Sequence, residues 1–117
     1  MINLGKGDLI LIECKTVKDS GYNKFSAVSR QLKAYTDLAK KNDYKVIKSL
    51  LIAPQFSDEF INDCELEYDL NLSLIKAISL IRILEGFKNS KLKSFPYKLL
   101  MRDVLIQEDR ILKAISK

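Results

Sequence analysis

The chain has 117 residues, enough for one domain with its own core. It is 47% apolar and 30% charged, and its formal net charge of +5 rests on 16 lysines and 4 arginines against 15 acids. That balance leans toward a polyanionic partner without requiring one. The absence of histidine excludes serine–histidine and cysteine–histidine triads, histidine zinc sites and histidine general bases. Catalysis would have to run on carboxylates, lysines, tyrosines or metal.

Cys14 and Cys64 have no paired spacing and read as reduced thiols. The longest greasy segment, Leu70 to Leu84, is broken by Asn71, Ser73, Lys76, Ser79 and Arg82, so no window is apolar enough to span a membrane. Asp8 and Glu13 interrupt the first apolar run and no small-residue cleavage site follows it, which predicts no signal peptide and a cytoplasmic chain.

In chain order, Gly5 and Gly7 precede a first strand over Asp8 to Thr16. A polar loop from Val17 to Lys24 turns at Ser20-Gly21. Val28, Leu32, Tyr35 and Leu38/Ala39 recur at helical spacing and predict a helix over Ser26 to Lys41, ended by Asn42-Asp43. The apolar run Leu50-Leu51-Ile52 predicts a second strand, Val46 to Ala53, buried on both faces and stopped by Pro54. Ser57 has the character of an N-cap, with Asp58 and Glu59 in the first turn of a helix that runs to about Glu65. Alternation over Leu70, Leu72 and Leu74 predicts a short third strand. Ile75 to Phe87 predicts a helix apolar around most of its circumference and hence well buried. A basic loop, Lys88 to Ser94, leads to a helix over Pro96 to Leu105 and a last one over Gln107 to Ser116. The order predicts an α/β fold, a small mixed sheet flanked by helices with a C-terminal helical extension. The division is a core over residues 1–90 and an extension of the same domain over 91–117.

Chemistry concentrates at the end of the first strand. Glu13 and Lys15 are two residues apart and so point to one face, at the C-terminal end where ligands of α/β sheets gather. By itself the pair is compatible with an ordinary surface ion pair. Gln31 and Tyr35 lie four apart on the following helix and share one of its faces. A carboxylate for a divalent metal, a cation for the nucleophile or developing charge, and an amide to orient a water are what phosphodiester hydrolysis requires.

With those residues in view, the chain resembles the PD-(D/E)XK nuclease superfamily. Glu13-Cys14-Lys15 matches its E-x-K half, and Gln31-x-x-x-Tyr35 matches the Q-x-x-x-Y motif of its RecB-like branch. The stretch from Pro54 to Phe87 is similar to the segment after the core in type IIS restriction endonuclease cleavage domains, so the likeness covers roughly residues 8 to 87. It implies a restriction-endonuclease-like core, a metal-dependent DNA endonuclease, Mg²⁺ (or Mn²⁺) held by Glu13, and Lys15 positioning or activating water. Gln31 and Tyr35 would complete the catalytic set. Lys18, Lys24, Arg30 and Lys33 lie around the same end as candidate phosphate contacts, which position a nucleic acid without reading it.

One part of the pattern is missing. The family places an aspartate on a strand preceding the E-x-K strand in a hairpin. The only acid before Glu13 is Asp8, five residues away and on the opposite face of the same strand. The preceding strand and the family's first helix are expected to be absent, which leaves the first strand as an exposed apolar edge inviting a homodimer or a partner subunit. The chain therefore reads as a nuclease domain or fragment, weakly active or inactive by itself. The alternatives are a catalytically inactive protein of the same fold that binds nucleic acid or a partner subunit, and a small α/β interaction module.

Overall fold

A computed structural model describes residues 2–3, 5–15, 25–67 and 70–116. It has a four-stranded sheet in the order β1 (Ile2–Asn3), β2 (Asp8–Cys14), β3 (Lys45–Ala53) and β4 (Leu72–Lys76), with β1 antiparallel to β2 and the other three parallel. The connection from β2 to β3 carries α1 (Phe25–Lys41), and that from β3 to β4 carries α2 (Asp58–Leu66). After β4 come α3 (Ala77–Lys88), a 3-10 helix (Tyr97–Met101) and α4 (Glu108–Ile115). Among the described residues no helix is long and apolar enough to cross a membrane.

Side-chain alternation along the strands divides the interior into two layers. Leu11, Leu51, Ala53, Leu72 and Leu74 pack against Val28 and Leu32 of α1 and Phe60 and Cys64 of α2. Leu50 and Ile75 face the other way, onto Ile83 of α3 and Ile106, Ile111 and Ile115 in and before α4. The register slips between Leu9 and Ile10, which pair with Val46 and Lys48, so Ile47 is an extra residue on β3. The bulge brings Val46 onto the α1 layer with Leu9 and returns Lys48 to the opposite face with Ile10.

Local chemistry sets the element ends. The Ser57 hydroxyl accepts from Phe60 N at 3.1 Å and caps α2, and Asp58 and Glu59 follow in its first turn. The turn that closes α1 after Lys41 runs through Asp43, whose φ of 65° is left-handed, while Tyr44 N donates to Ala39 O at 2.9 Å. Between β1 and β2 the chain passes through three left-handed residues, Gly5, Lys6 and Gly7. At Gly7 the φ of 81° favours glycine, and a Cβ there would stand 3.3 Å from Asp43 O.

Several expectations are corrected. A strand does precede β2: Ile2 and Asn3 pair with Ile10 and Leu9, so β2 is free only beyond them, where Leu11 to Cys14 have a neighbour on one side among the described residues. β4 begins and ends later than predicted. Asn71 adopts φ 50° and donates from Nδ2 to Ile47 O at 2.6 Å, and Ile75 pairs with Ile52 in the sheet instead of opening the helix. α3 is buried at Ser79 and Ile83 but leaves Ile78, Ile81 and Leu84 about half exposed, because the sheet and α4 cover one side of it only. The predicted helix over Pro96 to Leu105 is only the short 3-10 helix. Its second half instead runs beside β4, where Leu105 bridges Leu74 and Ile106 N donates to Leu74 O at 2.8 Å. The expected loop over Val17 to Lys24 lies outside the described residues.

Candidate active site

β2 alternates without interruption after Leu9. Leu9, Leu11 and Glu13 line a cleft against α1, while Ile10 and Ile12 also reach the far side of the sheet. Lys15 follows Glu13 by two residues, and its backbone N–H donates to Ile52 O at 2.8 Å, which extends the ladder one step past β2. The C-terminal end of β2 is thereby held against β3, and the Lys15 side chain reaches α1 at Gln31.

The four residues singled out in the sequence form one chain of polar contacts. Lys15 Nζ stands 3.5 Å from Glu13 Oε1 and donates to Gln31 Oε1 at 3.1 Å. Gln31 Nε2 donates to the Tyr35 hydroxyl oxygen at 2.9 Å. An ammonium only donates, so the oxygen end of the Gln31 amide must face Lys15 and its NH₂ must face Tyr35. Among the described residues, one N–H of Lys15 goes to Gln31 while the ammonium also pairs with Glu13 at 3.5 Å, which leaves it donor capacity for a water or a phosphate oxygen. Glu13 and Lys15 each keep about a quarter of their side-chain surface. The pair is reachable by a substrate and is partly shielded from the solvent that would weaken it.

Glu13 and Tyr35 open onto a cleft of about 510 Å³, lined otherwise mainly by apolar side chains such as Leu9, Leu11, Leu32 and Leu38. Leu38 is 60% exposed and Tyr35 39% exposed, so the predicted apolar stripe of α1 is covered only at Val28, Leu32 and Ala39. Among the described residues Glu13 is the one acidic side chain lining the cleft. Among the described residues no group of three or more acidic, cysteine or histidine side chains is placed to hold a metal ion. Asp8 occupies the first position of β2, an odd number of residues from Glu13, and so belongs to the opposite face. A single carboxylate still suits Mg²⁺, which keeps several of its waters and takes only one or two carboxylates in such sites.

Of the predicted phosphate contacts, Arg30 and Lys33 are exposed on α1, one turn or less from Gln31. Lys18 and Lys24 lie outside the described residues. Sequence reasoning missed Lys48, buried on the other side of the sheet with 8% of its surface exposed. A lysine within an apolar strand was the available signal. No family model, no curated protein and no solved structure matches the chain.

Proposed function

We propose that this chain is a restriction-like, metal-dependent endonuclease domain that hydrolyses phosphodiester bonds in DNA and carries one half of the metal site. The observation that supports it is Lys15, held between Glu13 at 3.5 Å and Gln31 at 3.1 Å with Tyr35 continuing the chain. Glu13 from β2 and Gln31 from α1 meet on the Lys15 ammonium, and Tyr35 holds Gln31 from behind. Glu13 would hold Mg²⁺ or Mn²⁺, which when bound supplies Lewis-acid polarisation and an activated water. Lys15 offers an N–H to the attacking water or to the charge developing on phosphorus-bound oxygen. Gln31 fixes the direction of Lys15, and Tyr35 fixes the amide of Gln31. Arg30 and Lys33, with Lys18 and Lys24, would contact the DNA backbone, and the +5 net charge assists approach.

Among the described residues the cleft holds one acidic side chain, and that favours a second reading: a catalytically inactive member of the same fold that binds nucleic acid or a partner subunit. A second carboxylate would have to come from a strand laid beside the end of β2, opposite Glu13 and on the same face. Leu11 to Cys14, which pair on one side only among the described residues, are where a homodimer partner or a partner subunit would add a strand. Light scattering across a concentration series tests that pairing, and a monomer at every concentration counts against it.

Nicking of a supercoiled plasmid with Mg²⁺ or Mn²⁺ tests the activity. Slow cutting is expected, abolished by chelation and by both Glu13→Ala and Lys15→Ala. Cutting that persists unchanged in both variants would remove the site assignment. DNA retention in a gel shift without any cutting selects the second reading.

A further inference from the structure

The sheet face turned away from Glu13 carries a groove of about 390 Å³ that plays no part in the proposed hydrolysis. Ile10, Ile12 and Leu50 form its floor, and Leu80, Phe95 and Leu100 stand among its walls. Among the described residues that line it, Tyr97 and Lys48 alone bear a side-chain nitrogen or oxygen, and Lys48 is the one cation. Its ammonium donates to Asn71 Oδ1 at 3.2 Å, and no described carboxylate forms an ion pair with it. The nearest acidic influence is Asp103, but both oxygens of that carboxylate accept from Arg110 Nη1, at 3.1 and 3.0 Å. Burial pushes the Lys48 ammonium below the usual lysine range, with Asp103 offsetting part of the effect.

Among the described residues the Lys48 ammonium, at the end of a side chain that is mostly buried, has one neutral acceptor and no carboxylate paired with it, the counter-ion that ordinarily compensates such a charge. The rest of the groove is apolar and runs away from that charge along β3. From Lys48 to Ile52 is four residues, about 13 Å at about 3.3 Å per residue. We propose that the groove binds a free medium-chain carboxylate, its head on the Lys48 ammonium and its chain laid over Ile10, Ile12 and Leu50. Charge complementarity selects the head, and the groove's length and apolar lining select the tail. The site is separate from the Glu13 cleft and stands or falls independently of the nuclease reading.

Calorimetric titration of the whole chain with decanoate, 1-decanol and decyltrimethylammonium, each below its micellar concentration, tests the proposal. Decanoate should saturate one site at least roughly tenfold more tightly than 1-decanol, as expected for one charge-assisted hydrogen bond. The cation should bind more weakly than either. Lys48→Met should lower decanoate to the level of 1-decanol and leave 1-decanol unchanged, and Leu80→Trp, which fills the groove, should abolish both. Equal binding of decanoate and 1-decanol by the unmodified chain would overturn the proposal, showing an apolar surface indifferent to charge and better suited to a polypeptide segment. Absence of saturable decanoate binding would overturn it too, as would decanoate binding that survives Leu80→Trp. The three-ligand comparison decides the matter even if a variant fails to fold.

Discussion

Replacing Lys15 by methionine should separate what the ammonium does for folding from what it does for catalysis. Coulomb's law at 3.5 Å with an effective dielectric of about 20 gives about 5 kcal/mol for the Glu13 pair. Both side chains keep about a quarter of their surface, however. Water, salt and the entropy of two long side chains reduce such pairs to about 0.2–1 kcal/mol. The hydrogen bond to Gln31 adds up to about 1 kcal/mol, since a half-exposed amide recovers water when its donor is lost. Methionine preserves most of the stem's packing, so the loss should be about 1–2 kcal/mol, a urea midpoint lowered by roughly 1 M for a slope of about 1–3 kcal/mol/M. Nicking, by contrast, should fall by about 10²–10³-fold, the usual cost of removing one donor aimed at developing charge. Urea denaturation followed by circular dichroism, run beside single-turnover plasmid cutting, measures both. A destabilisation above about 3 kcal/mol, with activity lost only in proportion to the unfolded fraction, would refute the reasoning and make Lys15 a structural residue.

Other expectations come from the two layers of packing. Phe60 is fully buried, with ring centroids of Phe25 and Phe56 each at 5.9 Å, so Phe60→Ala should cost about 3–5 kcal/mol in urea denaturation. Ser57→Ala removes the cap of α2 and should cost about 1 kcal/mol, with Ser57→Asp recovering most of it by the same measurement. Cys14 is exposed and should react with a thiol reagent in the native state, whereas Cys64 should react only on unfolding. Burial first, then Asp63 and Glu65, pushes the Cys64 thiol up to about 12 from 9.0. A proton held more tightly in the folded state stabilises fully below pH 9 and is lost as pH rises toward 12, so denaturation midpoints should fall over that interval and fall less in Cys64→Ala. Gly86 lies where a Cβ would collide with Leu112 Cδ2. Gly86→Val should destabilise by about 1–3 kcal/mol in thermal melts and be partly rescued by Leu112→Ala.

The elements legible in the sequence are those whose signals are local. The helical spacing of Val28 and Leu32, the cap at Ser57 and the apolar run Leu50-Leu51-Ile52 are each written in adjacent residues, and α1, α2 and β3 match within a residue or two. The errors fall where distant partners decide. Ile75 reads as helical from its neighbours, yet the pairing of β3 with β4 carries the sheet through Lys76. Leu105 reads as the end of a helix, yet Leu74 offers it a strand edge and Ser73 Oγ donates to Asp103 O at 2.7 Å. β1 has only two residues, too few for any alternation to show, and exists because the turn through Gly5 and Gly7 folds it onto Leu9 and Ile10. At the site, the E-x-K spacing implied a shared face, but that Lys15 touches Gln31 depends on how α1 settles over β2, which no local pattern contains.

The same alternation that assembles Glu13 and Lys15 also keeps the Lys48 groove away from them. Successive residues of one strand point to opposite faces, so Leu9, Leu11 and Glu13 serve α1 while Ile10 and Ile12 serve the layer of α3. A slip of one residue would exchange the two faces and bury Glu13 among leucines and phenylalanines without a partner. The extra residue Ile47 belongs to this arrangement. Without a bulge between Val46 and Lys48, the start of β3 would be out of phase with β2, and either Val46 would leave the core or Lys48 would enter the layer of Leu32 and Phe60. The bulge lets β3 present Val46 to one side and Lys48 to the other within three residues. One strand pair can therefore carry a carboxylate–ammonium site on one face and a solitary buried ammonium on the other.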